Sequence, residues 1–225
     1  MRMRFAALAL VLWFLPGVAW PQVPEGSSAL DQRVATFELR DETLFDGLAK
    51  LNASTDLAFS IERIVPFDQK SPPVKDPRFT AHRESATVRE ILDWLCGLDG
   101  RYIWTSSGNM VNVLPRARQS DTSYFMNRRV GTLKVSKENP FAVVFAATQS
   151  LPGKPIPLGS LLMGVPQKYP QAMRFDLSGR SIREIANLAA TQMGPGWGWE
   201  LTGWEGYHLL LFHARLLPSK ATAGN

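Results

Sequence analysis

The sequence predicts an α+β protein made of two tandem βαββαββ-type modules, each with two helices packed on a small mixed sheet. Three observations carry this. Two helix starts of the form Ser/Thr-x-Arg-Glu, Thr87-Val88-Arg89-Glu90 and Ser181-Ile182-Arg183-Glu184, stand 94 residues apart. Each has the hydroxyl and glutamate of a capping box. The apolar positions that follow share one helical phase, Val88, Ile91, Leu92 and Leu95 in the first and Ile182, Ile185, Ala186 and Ala189 in the second. Finally, the flanking strands and a second upstream helix recur in the same order at a near-constant offset, which marks an internal repeat.

The first module covers residues 30–116. A strand from Ala35 to Arg40 leads to Thr43, the N-cap of a helix that runs to Ser54, and a strand from Leu57 to Glu62 follows. The loop between Ile64 and Arg78 carries Pro66, Pro72, Pro73 and Pro77, which cannot continue a regular ladder, so it belongs on the surface. Arg78 to Ala81 forms a strand, Thr87 to Leu98 the second helix, and Tyr102-Ile103-Trp104 opens a hairpin that turns at Ser107-Gly108-Asn109 and returns from Met110 to Leu114.

The second module covers residues 130–215. Val130-Gly131-Thr132-Leu133 answers Val34-Ala35-Thr36-Phe37, and Asn139 answers Thr43 as N-cap. Pro140 suits the first helical position, where a missing N–H costs nothing. Arg174-Phe175-Asp176-Leu177 precedes the Ser181 helix, Trp197-Gly198-Trp199 opens a hairpin turning at Glu205-Gly206, and Tyr207 to Phe212 returns. Residues 117–129 read as a polar, solvated linker rich in arginine, open to limited proteolysis that would release two folded fragments, and 216–225 as a flexible tail.

Composition narrows the class of function. Met1-Arg2-Met3-Arg4 followed by an apolar run from Phe5 to Leu15 and the small residues Gly17 and Ala19 is expected to be a cleavable signal peptide over residues 1–19. The alternative is an uncleaved anchor, but the apolar run is short of the roughly 20 residues that span a bilayer. The mature chain is expected to be periplasmic, with no membrane span. Arg2 and Arg4 leave with the leader, so the formal charge falls from +5 to +3, which is no footprint for nucleic acid. Cys96 is the one cysteine, so no intramolecular disulfide forms.

Residues Thr36 to Pro115, "TFELRDETLFDGLAKLNASTDLAFSI" followed by "FTAHRESATVREILDWLCGLDGRYIWTSSGNMVNVLP", resemble the short N-terminal domain of secretins and TonB-dependent receptors. Thr43-Leu44 with Leu48 and Leu51 supplies that family's first helix, and Val88 to Leu92 with Leu95 its second. Val130 to Ala214 is similar to a more divergent copy. The resemblance implies an α+β module that contacts other proteins of the envelope, an inner-membrane regulator or secretion machinery. It includes no plug, barrel or secretin segment, so it does not imply signalling through an attached receptor.

No catalytic, cofactor-binding or metal site is expected. His208 and His213 lie five apart on one strand and point to opposite faces. Cys96 sits beside Leu95 on the packed side of its helix, as an inert buried thiol. "MGPGWGW" lacks the Lys and Ser/Thr of a phosphate loop. Trp197, Trp199 and Leu201 alternate on one strand face and belong to the core, which leaves Trp204 as the exposed ring. An aromatic platform for glycan or peptidoglycan is the alternative to a protein-binding module. The return strand "YHLLLF" is apolar on both sides, so Leu210 and Phe212 either pack against the first copy or form a surface for an external partner or self-association. Trp204, Leu210 and Phe212 are the candidate interaction residues.

Overall fold

A computed structural model describes residues 29–64, 75–137, 139–162, 173–204, 207–214 and 216. The stretch expected as a leader, the centre of the proline-rich loop, the expected Glu205-Gly206 turn and most of the expected tail lie outside these residues. Strand β1 (Arg33–Glu42) leads through α1 (Leu44–Ala53), β2 (Ala58–Glu62), β3 (Phe79–Thr87) and α2 (Val88–Leu98) to the hairpin β4 (Tyr102–Ser107) and β5 (Met110–Pro115). Two 3-10 turns, Arg116–Arg118 and Phe125–Asn127, connect this to β6 (Lys134–Lys137), α3 (Pro140–Gln149), β7 (Leu158–Leu162), β8 (Met173–Asp176), α4 (Ile182–Thr191), β9 (Gly198–Trp204) and β10 (Tyr207–His213). The protein is α+β, and the element order of the second half repeats that of the first. Pairings repeat too. β1 with β3 and β6 with β8 are antiparallel, β4 with β5 and β9 with β10 are antiparallel, and β2 with β5 and β7 with β10 are parallel.

The helices start where the sequence places them. The Thr87 hydroxyl accepts from Glu90 N at 3.2 Å while the Glu90 carboxylate accepts from Thr87 N at 2.7 Å, and Ser181 and Glu184 make the same pair of bonds at 3.2 and 2.6 Å. Thr43 forms a third box with Asp46, and Asn139 caps α3 by accepting from Ala142 N at 2.7 Å. Thr87→Ala and Ser181→Ala are each expected to lower stability by about 1 kcal/mol, the usual loss of an N-cap hydroxyl. Thermal melts that overlay the parent would count against it.

Both halves contribute to one six-stranded sheet, ordered β4-β5-β2-β9-β10-β7. Parallel pairing of β2 with β9 joins them, with Ser60 opposite Trp199 and Glu62 opposite Leu201. β4 runs against β5, whereas β5, β2 and β9 run together, so β9 runs opposite to its counterpart β4. The second half is turned over relative to the first. Its helices therefore lie on the other face of the sheet. Phe59, Ile61, Val111 and Val113 point into the core with α1 and α2, while Trp199, Leu201, Leu210 and Phe212 point into the core with α3 and α4. In the middle both faces are covered, so all five residues of β2 are buried.

Two expectations change in three dimensions. β3 is longer than Arg78 to Ala81, because it pairs with β1 as far as Thr87 opposite Arg33. The stretch expected as a solvated linker is packed: Phe125 and Met126 are buried in the second core, and Asn127 Nδ2 donates to the carbonyls of Arg118 and Asp121 at 2.7 and 2.8 Å. A protease that cuts between Arg116 and Arg129 is thus expected to leave both halves associated through β2 and β9. Native gel filtration of the nicked protein should show one species, and separate halves would overturn this.

Candidate interaction site

Cys96, His208 and His213 are each held against packed side chains. Cys96 is buried, and burial, aided by the nearby Asp93 carboxylate, pushes its thiol up to about 12, far from a reactive thiolate. His208 rests against the Phe125 ring with centroids 4.5 Å apart, and burial lowers its pKa. Burial also lowers that of His213, on the opposite face of β10. Among the described residues no three His, Cys, Asp or Glu side chains gather as a metal site would require. No described helix is long and apolar enough to cross a membrane.

The candidate residues separate. Leu210 and Phe212 are buried beneath α3 and α4, which removes them from any accessible surface. Their strand faces its own helices on this side, so they are core of the second half and not a face left for the first copy or for a partner. Trp204 pairs with Tyr207 through the backbone, and its side chain falls outside what the structure describes. Trp199 is 0% exposed and donates its Nε1 to Asn187 Oδ1 at 2.8 Å, so it is core, and Trp197 packs partly buried beside it.

What the structure brings together instead is a polar junction between the halves. Ser60 on β2 donates to Asn112 Oδ1 on β5 at 2.6 Å, and Asn187 on α4 donates to the same oxygen at 2.9 Å. Glu62, 1% exposed, receives the Arg183 guanidinium at both oxygens, and the Tyr124 hydroxyl bonds to it as well. Burial, reinforced by that carboxylate, raises the Tyr124 pKa. Arg183 also donates to Asn127 Oδ1 at 2.6 Å. On the other face Arg63 pairs with Glu200 and lies over the Phe45 ring, 3.9 Å from its centroid. Asn112 and Glu62 thus meet polar groups of the second half, and Ser60 bonds to Asn112 within the first, so the polar side chains that β2 and β5 carry into the interior are paired, as buried polar groups must be. The sequence does signal this, since Ser60, Glu62 and Asn112 interrupt otherwise apolar strands, but polarity alone names no partner.

Beside the junction lies a cleft of about 420 Å³ whose lining includes Arg63, Ile64, Arg118, Tyr124, Leu201 and His208. Both arginines already hold carboxylates, Glu200 and Asp121, so the cleft does not present itself as an anion site. Hydrogen bonding from the Ser123 hydroxyl, then from Arg118, holds the Asp121 carboxyl down to about 2 from an ordinary 3.8. A depressed folded-state value means its contribution is present above pH 3.8 and is lost as the pH falls toward about 2. Asp121→Asn should flatten stability against pH across that window, and an unchanged acid limb would refute it.

Among the described residues the sheet has two outer strands, β4 and β7. β4 ends in Thr105, Ser106 and Ser107, all exposed. Comparison with family models, with curated proteins and with solved structures finds no match to this chain.

Proposed function

We propose that this chain is an exported, non-catalytic protein–protein interaction module, similar to the N-terminal domains of secretins and TonB-dependent receptors, that docks with an envelope secretion or signalling assembly. The single observation that carries this reading is the junction itself. Each half is a unit that binds another by edge-strand pairing backed by a helix face, and the chain keeps two further outer strands in the same sheet. Strand addition of this kind is a general mode of protein recognition. The reactive groups offer no rival, because Cys96 is buried with a raised pKa and the two strand histidines point apart. A glycan platform has less support, since Trp199, the centre of the aromatic group, is buried against α4.

The test is photo-crosslinking in cells that produce the protein, with a photoreactive residue placed in turn at Ser106 on β4, Lys50 on α1, Phe145 on α3 and Arg174 on β8. A discrete adduct with an envelope protein from at least one position is the expected result. Absence of an adduct from all four would overturn the reading.

A further inference from the structure

The junction inside the chain shows how this architecture receives a strand. Three side chains of the second half make the receiving surface. Trp199 on β9 donates to Asn187 on α4 at 2.8 Å, Asn187 reaches Asn112 of the first half, and Arg183, one turn earlier on α4, closes on Glu62 of the arriving strand β2. The first half repeats this surface on its outer edge. Trp104 on β4 donates its Nε1 to Asp93 Oδ1 on α2, also at 2.8 Å. Arg89 stands one turn earlier on α2, with its guanidinium 5.9 Å from the Trp104 ring centroid. Trp104, Asp93 and Arg89 precede Trp199, Asn187 and Arg183 by 95, 94 and 94 residues. The same three places are filled by Trp, a side-chain oxygen acceptor and Arg.

The two surfaces differ in what they hold. Arg183 is 16% exposed and grips a buried carboxylate, whereas the Arg89 side chain is 47% exposed and its ion pair is a 3.7 Å contact with Asp31, itself 49% exposed. Asp93 is exposed, and β4 is an outer strand of the sheet. The edge is therefore a built receiving surface with a cation that, among the described residues, no buried acid meets.

We propose that the β4 edge and α2 dock an extended segment of a partner protein, which adds parallel to β4 and places a carboxylate on Arg89. This rests on the interaction-module reading and says which edge serves it. The internal register sets the position of the acid. Ser60 lies opposite Trp199 and Glu62 opposite Leu201, so the docked acid lies two residues past the one facing Trp104, opposite Ser106. A second copy does not fit. β7 holds the place of β2 in the second half, and from Leu158 to Val165 the chain contains no acid.

The chain supplies its own probe. A labelled peptide with the sequence of Leu57 to Ile64, LAFSIERI, carries the acid at the required place. It is expected to bind the purified protein saturably by fluorescence anisotropy. Glu62→Gln in the peptide and Arg89→Ala in the protein should each weaken binding by about tenfold, with little further loss when combined, as a direct charge pair requires. Strand residues alternate in which side they bond. Of Thr105→Pro and Ser106→Pro, one therefore removes an outward N–H and spares the ladder to β5. That variant should keep the parent melting temperature and lose the peptide. The proposal is overturned by absence of saturable binding, by equal affinity of Arg89→Ala, or by peptide retained in both proline variants. Self-association in sedimentation that Arg89→Ala abolishes would assign the edge to a second copy and overturn the partner named here. Crosslinks from Phe145 or Lys50 without peptide binding would leave the proposed function standing and remove this edge from it.

Discussion

Arg183→Ala is expected to cost about 3–5 kcal/mol, the scale of loss when one partner of a buried ion pair is removed and the other charge is stranded. The stranded group is Glu62, 1% exposed on β2, one of the two central strands of the sheet. Its remaining hydrogen bond comes from Tyr124, and Asn127 Oδ1 would lose its donor as well. Such a loss is a large fraction of the roughly 5–15 kcal/mol that holds a typical domain folded. The internal control is Arg89→Ala. Arg89 occupies the corresponding place in α2 but meets Asp31 at the surface, where a pair contributes about 0–1 kcal/mol. Urea midpoints measured side by side decide the matter, and similar midpoints for the two variants would mean that the buried pair does not hold the halves together. The double variant Glu62→Met with Arg183→Met should recover most of the loss, because two apolar side chains of similar volume avoid the desolvation of both charges.

Gly198→Ala should be damaging for a steric reason at the same junction. A Cβ on Gly198 would stand 1.8 Å from the Phe59 carbonyl oxygen and 2.8 Å from its carbon. These are backbone atoms of β2, so no rotamer change relieves the contact, and the strands must part. Overpacking of this kind costs about 1–3 kcal/mol and occasionally more, and a backbone clash belongs at the upper end. The Arg63 N–H, which donates to the Leu201 carbonyl at 2.8 Å across β2 and β9, should exchange faster with deuterium in the variant. Gly131→Ala, where an added Cβ meets nothing within 4 Å, is the matched control and should leave both stability and exchange unchanged. Unaltered exchange at Arg63 in Gly198→Ala would show that the junction tolerates the methyl group and that this reading of its packing is mistaken.

Much of the fold was legible in the sequence because its signals act over a few residues. Thr87, Ser181 and Asn139 start helices through bonds to amides three residues on, and the spacing of Val88, Ile91, Leu92 and Leu95 places one buried face, so both are written locally. The repeated element order followed from reading those local signals twice. The interaction residues were less legible. Leu210 and Phe212 have neighbours on both sides of an apolar strand, and alternation alone does not say which side meets helices. In the tertiary structure the turned-over second half puts α3 and α4 on that side and leaves the first half's helices on the other.

Local signals along the chain specify the α+β class, the starts of the four helices with their caps, the two hairpins and the recurrence of their order. That the halves share one sheet through β2 and β9, and that Glu62 meets Arg183 across 121 residues of chain, is settled by long-range packing. The difference is one of range. Caps and periodicity compare residues within one or two turns, whereas a buried charge in a strand requires a partner without specifying where along the chain it stands.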